Sequence, residues 1–559
     1  MTSGSGCRCS RTCWGMPKTT PAGGTSAPSR AARRAWSTFS SWSGIEVPAD
    51  DRGILRKGRP AVKARSGTGN LNKKNRVVLL YPRNHFKKSY HPWTWVPLPT
   101  LAVSAPLFAE GYDVVMIDAN VEPDWERRVV DECRDALVLG ISCMTGPQIH
   151  FALEAAAAVR GAGLDLPIIW GGYHPSILPE QTSRNQYVDA VVRGQGELTL
   201  LELVNRLSQG EDFTDIEGIT FTRDGETVSN PDRRVADINT FPRLPYDRIE
   251  RPERYLNNMH VGSRVINYVS SQGCPARCQF CAEPLVYRRR WKAYTPDRVL
   301  SDLEFLESLL GVNGIMYFDS TYFVNERRAR EISQKMVERG MKFGWAANAR
   351  APQLGKFADD TFDVLKASGL WAFLVGAESG SESQLGTMQK DITPEDIVEA
   401  ARVATRHGIK ISYSFIVGFP GETDSEIEET WDVMERVSQV VGEYNSQLHF
   451  YAPTPGNALF DRAVELGLNS PGSLEEWAQF STVSGDLPWM DDRFRNRQKQ
   501  REFYLVYGYP SEWVRRRAAR STARKLYVNV ASALSSARCR YHYWGLPLDW
   551  WLLRGMRSA

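Results

Sequence analysis

Cys274-Pro275-Ala276-Arg277-Cys278-Gln279-Phe280-Cys281 sets three thiols within eight residues, just after the apolar text Val265-Ile266-Asn267-Tyr268-Val269. A structural zinc site takes four protein ligands, and no fourth Cys or His stands nearby at finger-like spacing. Three thiolates instead suit an iron-sulfur cube, on which one iron keeps an open position for a further ligand. The position of the loop also decides the fold. Apolar strands follow at 314–318, 342–347, 372–376, 410–417 and 447–451, with helices such as 296–310 and 394–407 between them. Six strand-helix repeats over 263–455 predict a partial parallel (β/α)6 barrel, whose chemistry sits at the carboxyl ends of its strands.

An earlier series of the same kind runs over 76–210. Short, fully apolar strands (77–81, 112–118, 136–142, 167–170, 189–193) alternate with helical stretches, the pattern of a parallel sheet covered on both faces. A doubly wound, Rossmann-like α/β domain follows, with a ligand crevice at the strands' carboxyl ends. The loops there hold Ser142 to Gly146, Gly171-Gly172-Tyr173-His174-Pro175 and Gly194-Gln195-Gly196-Glu197. Between the two series, 211–262 reads as a Pro-punctuated linker with a small hairpin. The section 456–559 reads as mainly helical and substrate-covering, with Arg515, Arg516, Arg517, Arg520, Arg524 and Lys525 ahead of 527–534. That stretch is either a solvated or packed helix, or an interfacial one touching anionic lipid.

The chain has 559 residues, 42% hydrophobic and 24% charged, with a net charge of +4. Residues 1–74 carry 14 Lys and Arg against 3 Asp and Glu, so this leader is +11 and the remainder −7. A mildly acidic body speaks against a nucleic-acid binder. The Ser, Gly, Ala, Pro and Arg composition of 1–75 predicts a disordered basic leader. Its Arg33-Arg34 pair precedes text too polar for an export signal, so a cytoplasmic protein is expected. No apolar run is long enough to span a bilayer. Nine cysteines, an odd number, speak against a disulfide framework. Cys7, Cys9 and Cys13 lack a supporting element for a metal site, while Cys133 and Cys143 sit in apolar text and read as core thiols.

The three-cysteine spacing, with Phe280 before the third thiol, resembles the radical S-adenosylmethionine (SAM) superfamily. Gly376-Ala377-Glu378-Ser379-Gly380-Ser381 and Gly418-Phe419-Pro420-Gly421-Glu422-Thr423 resemble its fourth- and fifth-strand SAM-contacting segments, and Tyr451-Ala452-Pro453-Thr454-Pro455-Gly456 the sixth. The resemblance implies a 4Fe-4S cluster on Cys274, Cys278 and Cys281, with SAM on the open iron. Glu378 and Ser379 would then bond SAM, and Phe280 and Val417 would flank its adenine. Asp319, Tyr322 and Asn348 would face SAM or substrate, or else act as helix caps.

The domain at 76–210 resembles the cobalamin-binding domain of the cobalamin-dependent (class B) group. This implies cobalamin contacts from Ser142, Thr145, Gly171, Gly172, Gly194 and Glu197, with His174 at the dimethylbenzimidazole tail. The D-x-H-x-x-G text that supplies a cobalt histidine in many such domains is missing. Pro82-Arg83-Asn84-His85 stands there instead, and His85, His91, Trp93 and Trp95 share its loop. The resemblance implies a methyltransferase acting on an unactivated carbon of a small-molecule or lipid-linked specialised metabolite, served by a flavodoxin or ferredoxin. A ring-forming, ring-contracting or oxygenating relative is the alternative. A non-catalytic cobalamin or SAM sensor has no use for the three cysteines.

Overall fold

In the computed structural model the described residues are 75–86, 93–480, 487–519 and 521–557. The first sheet contains β1 (Arg76–Tyr81), β2 (Asp113–Asp118), β3 (Ala136–Ser142), β4 (Ile168–Gly171), β5 (Ala190–Val192), β6 (Ile219–Arg223) and β7 (Glu226–Ser229), in the order β2-β1-β3-β4-β5-β6-β7. β1 to β5 are mutually parallel. Val77, Val78, Leu79 and Leu80 are all buried, because helices cover both faces.

The hairpin expected within 211–262 is present, but it is no linker. Its Asp224-Gly225 turn has positive φ at both positions (52° and 85°), the two-residue geometry that matches strand twist. β6 pairs antiparallel with β5 and β7 with β6, so the hairpin extends the first sheet. Only after Ser229 does the chain leave it, through short turns at Ile238–Thr240, Tyr246–Arg248 and Pro252–Tyr255.

The second sheet follows: β8 (Asn257–Met259), β9 (Gly262–Tyr268), then a separate ribbon of β10 (Ser271–Gly273) and β11 (Trp291–Ala293), then β12 (Gly314–Tyr317), β13 (Gly344–Ala349), β14 (Leu370–Glu378), β15 (Lys410–Val417) and β16 (Ser446–Phe450). The order β16-β15-β14-β13-β12-β9-β8 contains the six expected parallel strands, and β8 adds an antiparallel edge. Capping fixes where the crossover helices begin. Thr423 and Glu426 form a reciprocal capping box at the start of Asp424–Val441, and Gly442 ends that helix in the left-handed region.

Beyond β16 the described chain is helical: Ala458–Glu465, Leu474–Gln479, Asp492–Gly508, Glu512–Ala518, Thr522–Tyr541 and Leu548–Arg557. This section reaches back to the first domain. Trp477 Nε1 donates to Gln181 Oε1 (2.6 Å), and Asn185 Nδ2 to Glu475 Oε1 (2.8 Å). The carboxyl-end loops of the two sheets also meet. Val96, on the loop after β1, exchanges two 2.9 Å hydrogen bonds with the Asn267 side chain on β9. Gln272 on β10 donates to Glu197 Oε1 (2.7 Å). Among the described residues no helix is long and apolar enough to cross a membrane.

Candidate functional site

The ribbon of β10 and β11 presents the cysteine loop at the mouth of the second sheet. Cys274, Cys278 and Cys281 line one cavity of about 380 Å³, together with Phe280, Glu283, Asn348, Arg350, Glu378, Lys390, Ser414 and Gln447. Burial raises the Cys274 thiol and pushes Cys281 up to about 12, so loading a cluster must release protons. Arg350 Nη1 lies 3.5 Å from Cys278 Sγ, a cation beside the thiolate that cluster ligation would create. Among the described residues no three His, Cys, Asp or Glu side chains are close enough to hold a single ion. Three thiols around one cavity fit a cube that bridges them better than one zinc ion.

Opposite the cysteines stands Glu378, at the end of β14. Its φ of +65° is costly for a residue with a side chain, and the register against β15 shifts between Gly376 and Glu378. The bend folds the carboxylate back over the strand. A Cβ on residue 376 would lie 2.3 Å from Glu378 Oε1, so the glycine makes room for it. Lys390 Nζ donates to that oxygen at 3.0 Å, with both residues buried, and sits 5.3 Å from the Phe280 ring centroid. Ser414 Oγ reaches Glu378 Oε2 at 3.4 Å. A cation, a carboxylate and hydroxyls are thus gathered around a space lined by three thiols, which suits a ligand carrying both an amino and a carboxylate group.

Four expected placements are corrected. Val417 is fully buried in the core: along β15 the half-buried Ser412 and Ser414 line the cavity, and in the alternation that follows Val417 shares the buried side with Ile411, Tyr413 and Phe415. Ser379 is also fully buried. Its hydroxyl lies 3.1 Å from Thr430 Oγ1 and accepts from Ser381 N, fastening the loop to Asp424–Val441. Asp319 is sealed below the site, accepting from Ser270 N and Oγ (both 2.7 Å), and Tyr322 packs among Tyr317, Phe323 and Trp345. Asn348 does line the cavity and donates to the Asp319 carbonyl at 2.9 Å.

The first sheet's crevice is built differently. Gly172, with φ of +93°, lets the ends of β3 and β4 touch: a Cβ there would meet Cys143 N and O at 2.8 Å. This brings His174 to Thr145, with Nδ1 and Oγ1 3.0 Å apart. His174 is fully buried, and burial lowers its pKa to about 3. Its Nε2 has no hydrogen-bond partner, and the ring meets Trp477 edge-on at 5.4 Å. An orphaned buried nitrogen beside glycines and small hydroxyls, next to the half-exposed Met144, fits a large amide-rimmed ligand such as cobalamin. Ser142 and Gly171 end β3 and β4, and Gly194 N donates to Ser176 Oγ (2.9 Å). Glu197 is buried in the bond to Gln272, which makes it a joint between domains; burial raises its carboxyl. His85 is half-buried, and Trp95 packs edge-on against Phe318 at 5.1 Å. Cys133 and Cys143 are core thiols. His91 and Cys7, Cys9 and Cys13 lie outside the described residues.

The sequence reading missed the residue between the crevices. Glu283, on the short helix Glu283–Tyr287 after the cysteine loop, accepts from Tyr173 of the first domain and from Ser320 Oγ (2.7 Å) beyond β12. Its Oε2 is buried without a partner. Arg350 and Lys390 were also missed. Only Ser412 and Ser414 carried a local signal, as polar residues alternating with the buried Ile411, Tyr413 and Phe415.

Residues 268–434 match the model of the radical SAM superfamily, and residues 92–204 that of the B12 binding domain. An uncharacterized methyltransferase of Pyrococcus horikoshii is 28% identical over 387 residues, 68% of this chain and 81% of that protein. An anaerobic magnesium-protoporphyrin IX monomethyl ester cyclase of Rubrivivax gelatinosus is 25% identical over 402 residues, 70% of each chain. In fold, the chain is similar to the radical SAM methyltransferase TsrM of Kitasatospora setae, solved with cobalamin and an iron-sulfur cluster. The TM-score is 0.58 at 19% identity, over 72% of this chain and 81% of that one. The fold and the three-cysteine site define a radical SAM enzyme. The chain thus carries a radical SAM domain and, ahead of it, a B12-binding domain, and the cofactors of these two domains are a 4Fe-4S cluster, SAM and cobalamin.

Proposed function

We propose that the protein transfers a methyl group from SAM, through cobalamin, to an unactivated carbon of a small-molecule or lipid-linked specialised metabolite. The observation that carries this reading is the junction at Glu283, which ties the loop after β4 to the cluster cavity and so faces one cofactor crevice toward the other. When bound, the cluster would supply the electron that cleaves SAM to a 5′-deoxyadenosyl radical, and cobalamin would carry methyl from a second SAM. Cys274, Cys278 and Cys281 would hold the cluster. Glu378, Lys390 and Ser414 would orient the amino and carboxylate groups of SAM, with Phe280 on its apolar side. Ser142, Thr145, Gly171, Gly172 and His174 would seat cobalamin. The electron would come from a flavodoxin or ferredoxin.

The test uses SAM labelled as CD₃. Product carrying the intact CD₃ group, with 5′-deoxyadenosine and S-adenosylhomocysteine formed in equal amounts after uncoupled cleavage is subtracted, supports methyl transfer. Product with 5′-deoxyadenosine but neither label nor S-adenosylhomocysteine overturns it in favour of a ring-forming reaction.

A further inference from the structure

Exposed large apolar side chains are scattered singly over the two sheet domains but crowd together at the carboxyl-terminal end. On the helix Thr522–Tyr541, the inward face holds Ala531, Ser535 and Cys539, packed on Asp492–Gly508: Cys539 Sγ lies 3.7 Å from the Tyr504 carbonyl. A second apolar stripe faces out. Leu526, Val530, Leu534 and Tyr541 follow one another at helical spacing and are all exposed, Leu526 by 65%. Leu546, Leu548, Trp551 and Leu552, the last 70% exposed, stand in and just before the next helix, and Trp513 is 60% exposed on the preceding one. So many exposed large apolar side chains within one helical section mark an interaction site.

Charge says what covers it. Residues 511–557 hold ten Arg and Lys against two Asp and Glu, a net +8, whereas residues 75–510 hold 45 against 60, a net −15. Arg515, Arg516, Arg524, Lys525 and Arg540 are exposed beside the apolar stripe, and the Arg517 guanidinium lies 5.1 Å from the Trp513 ring centroid. Long basic side chains among exposed Leu, Trp and Tyr match the layers of a bilayer surface: anionic headgroups outside, acyl chains within. A symmetric self-interface through the same patch would press two +8 surfaces together.

We propose that the helices Glu512–Ala518, Thr522–Tyr541 and Leu548–Arg557 seat this enzyme on an anionic phospholipid surface. The association is peripheral. Apolar insertion and basic attraction act together, so the seat depends on both lipid charge and salt.

The test is co-sedimentation of the full-length, cluster- and cobalamin-loaded protein with vesicles of phosphatidylcholine, with and without one-third phosphatidylglycerol. Binding to the anionic vesicles that weakens as salt rises is expected. Replacing Arg515, Arg516 and Arg517 together by Gln lowers the affinity roughly a hundredfold. Leu526→Asp with Leu552→Asp abolishes the association while iron content and far-ultraviolet circular dichroism stay unchanged. Val337→Asp, at an exposed apolar residue on the barrel helix Glu326–Glu338, has no effect. Failure to bind anionic vesicles overturns the proposal, as does equal binding to neutral ones. A concentration-dependent doubling of mass without vesicle binding, removed by the Leu526→Asp change, overturns it in favour of a self-interface. These readouts are independent of methyl transfer, so either reading can fail alone.

Discussion

The two crevices follow one rule and reach opposite results. Both lie at the carboxyl ends of parallel strands, where strand-to-helix loops converge. The second sheet fills its mouth with thiols and charge: three cysteines, the buried Glu378–Lys390 pair at 3.0 Å and Arg350 against Cys278. The first fills its mouth with backbone, small side chains and a histidine that burial holds neutral. The difference teaches what each can select. A cavity of fixed charges holds a small zwitterion at defined points, at the cost of desolvating every one of those charges. A crevice of glycines and hydroxyls selects by shape and tolerates a large neutral rim. Glu283 belongs to both, since Tyr173 and Ser320 reach it from the two sides.

The largest expected effect tests whether the two halves are separable. Changing Cys274, Cys278 or Cys281 to Ala should abolish the cluster and reductive SAM cleavage, because no neighbouring thiol in the cavity replaces the lost ligand. Cobalamin binding should survive, since the first crevice contains none of the three. Iron and sulfide analysis beside the cobalamin absorbance of anaerobically purified protein decides this. Loss of both cofactors would mean that the halves fold around each other's ligands.

A smaller effect comes from the other side. Gly172→Val puts a side chain where the backbone of Cys143 lies 2.8 Å from the Cβ position, at a φ that β-branched residues avoid. The strain of about 1–3 kcal/mol should appear as a roughly ten- to hundredfold loss of cobalamin affinity. Iron content should not change. Equal loss of iron would sink the picture of two independent crevices.

The fold was legible where the chain is locally unambiguous. β1 and β3 are continuous apolar runs and stand as the sequence indicates, and the helix Pro296–Leu310 is bounded by its Thr-Pro start and Gly311. The hairpin was legible through Asp224-Gly225, but not its membership of the first sheet, because an antiparallel strand added to an edge leaves no local mark. β10 and β11, three residues each, are too short for any period. In the site, the cysteines and Glu378 could be read from their motifs. Val417 was misassigned because Phe415-Ile416-Val417 is apolar throughout, so only Ser412 and Ser414 fix which residue faces the cavity, and a shift of one residue reverses it. Arg350, Lys390 and Glu283 arrive from separate loops, brought together by topology alone.

The smallest effect concerns protons, and here the two halves oppose each other. Burial lowers His174 in the first crevice to about 3, and raises Glu422, which accepts from Gly418 N and Phe419 N beyond β15, to about 7. The unfolded chain protonates His174 near its ordinary 6.5 and the folded chain does not, so this group's contribution is present above 6.5 and falls away as pH drops toward 3. Glu422 works in reverse. The folded chain keeps its proton between 4.5 and about 7 while the unfolded chain releases it, so its contribution is lost as pH rises through that range. Each slope approaches about 1.4 kcal/mol per pH unit at its steepest, and between about 4.5 and 6.5 they largely cancel. Urea unfolding across that interval should therefore give a flatter pH profile for the unmodified protein than for either variant. Glu422→Gln, which keeps an acceptor for the two amides, should uncover stability that increases with pH. His174→Gln should uncover stability that decreases with it. Parallel profiles for the two variants would show that the buried groups exchange protons with solvent in the folded state as freely as in the unfolded one, and would remove the electrostatic half of the contrast between the crevices.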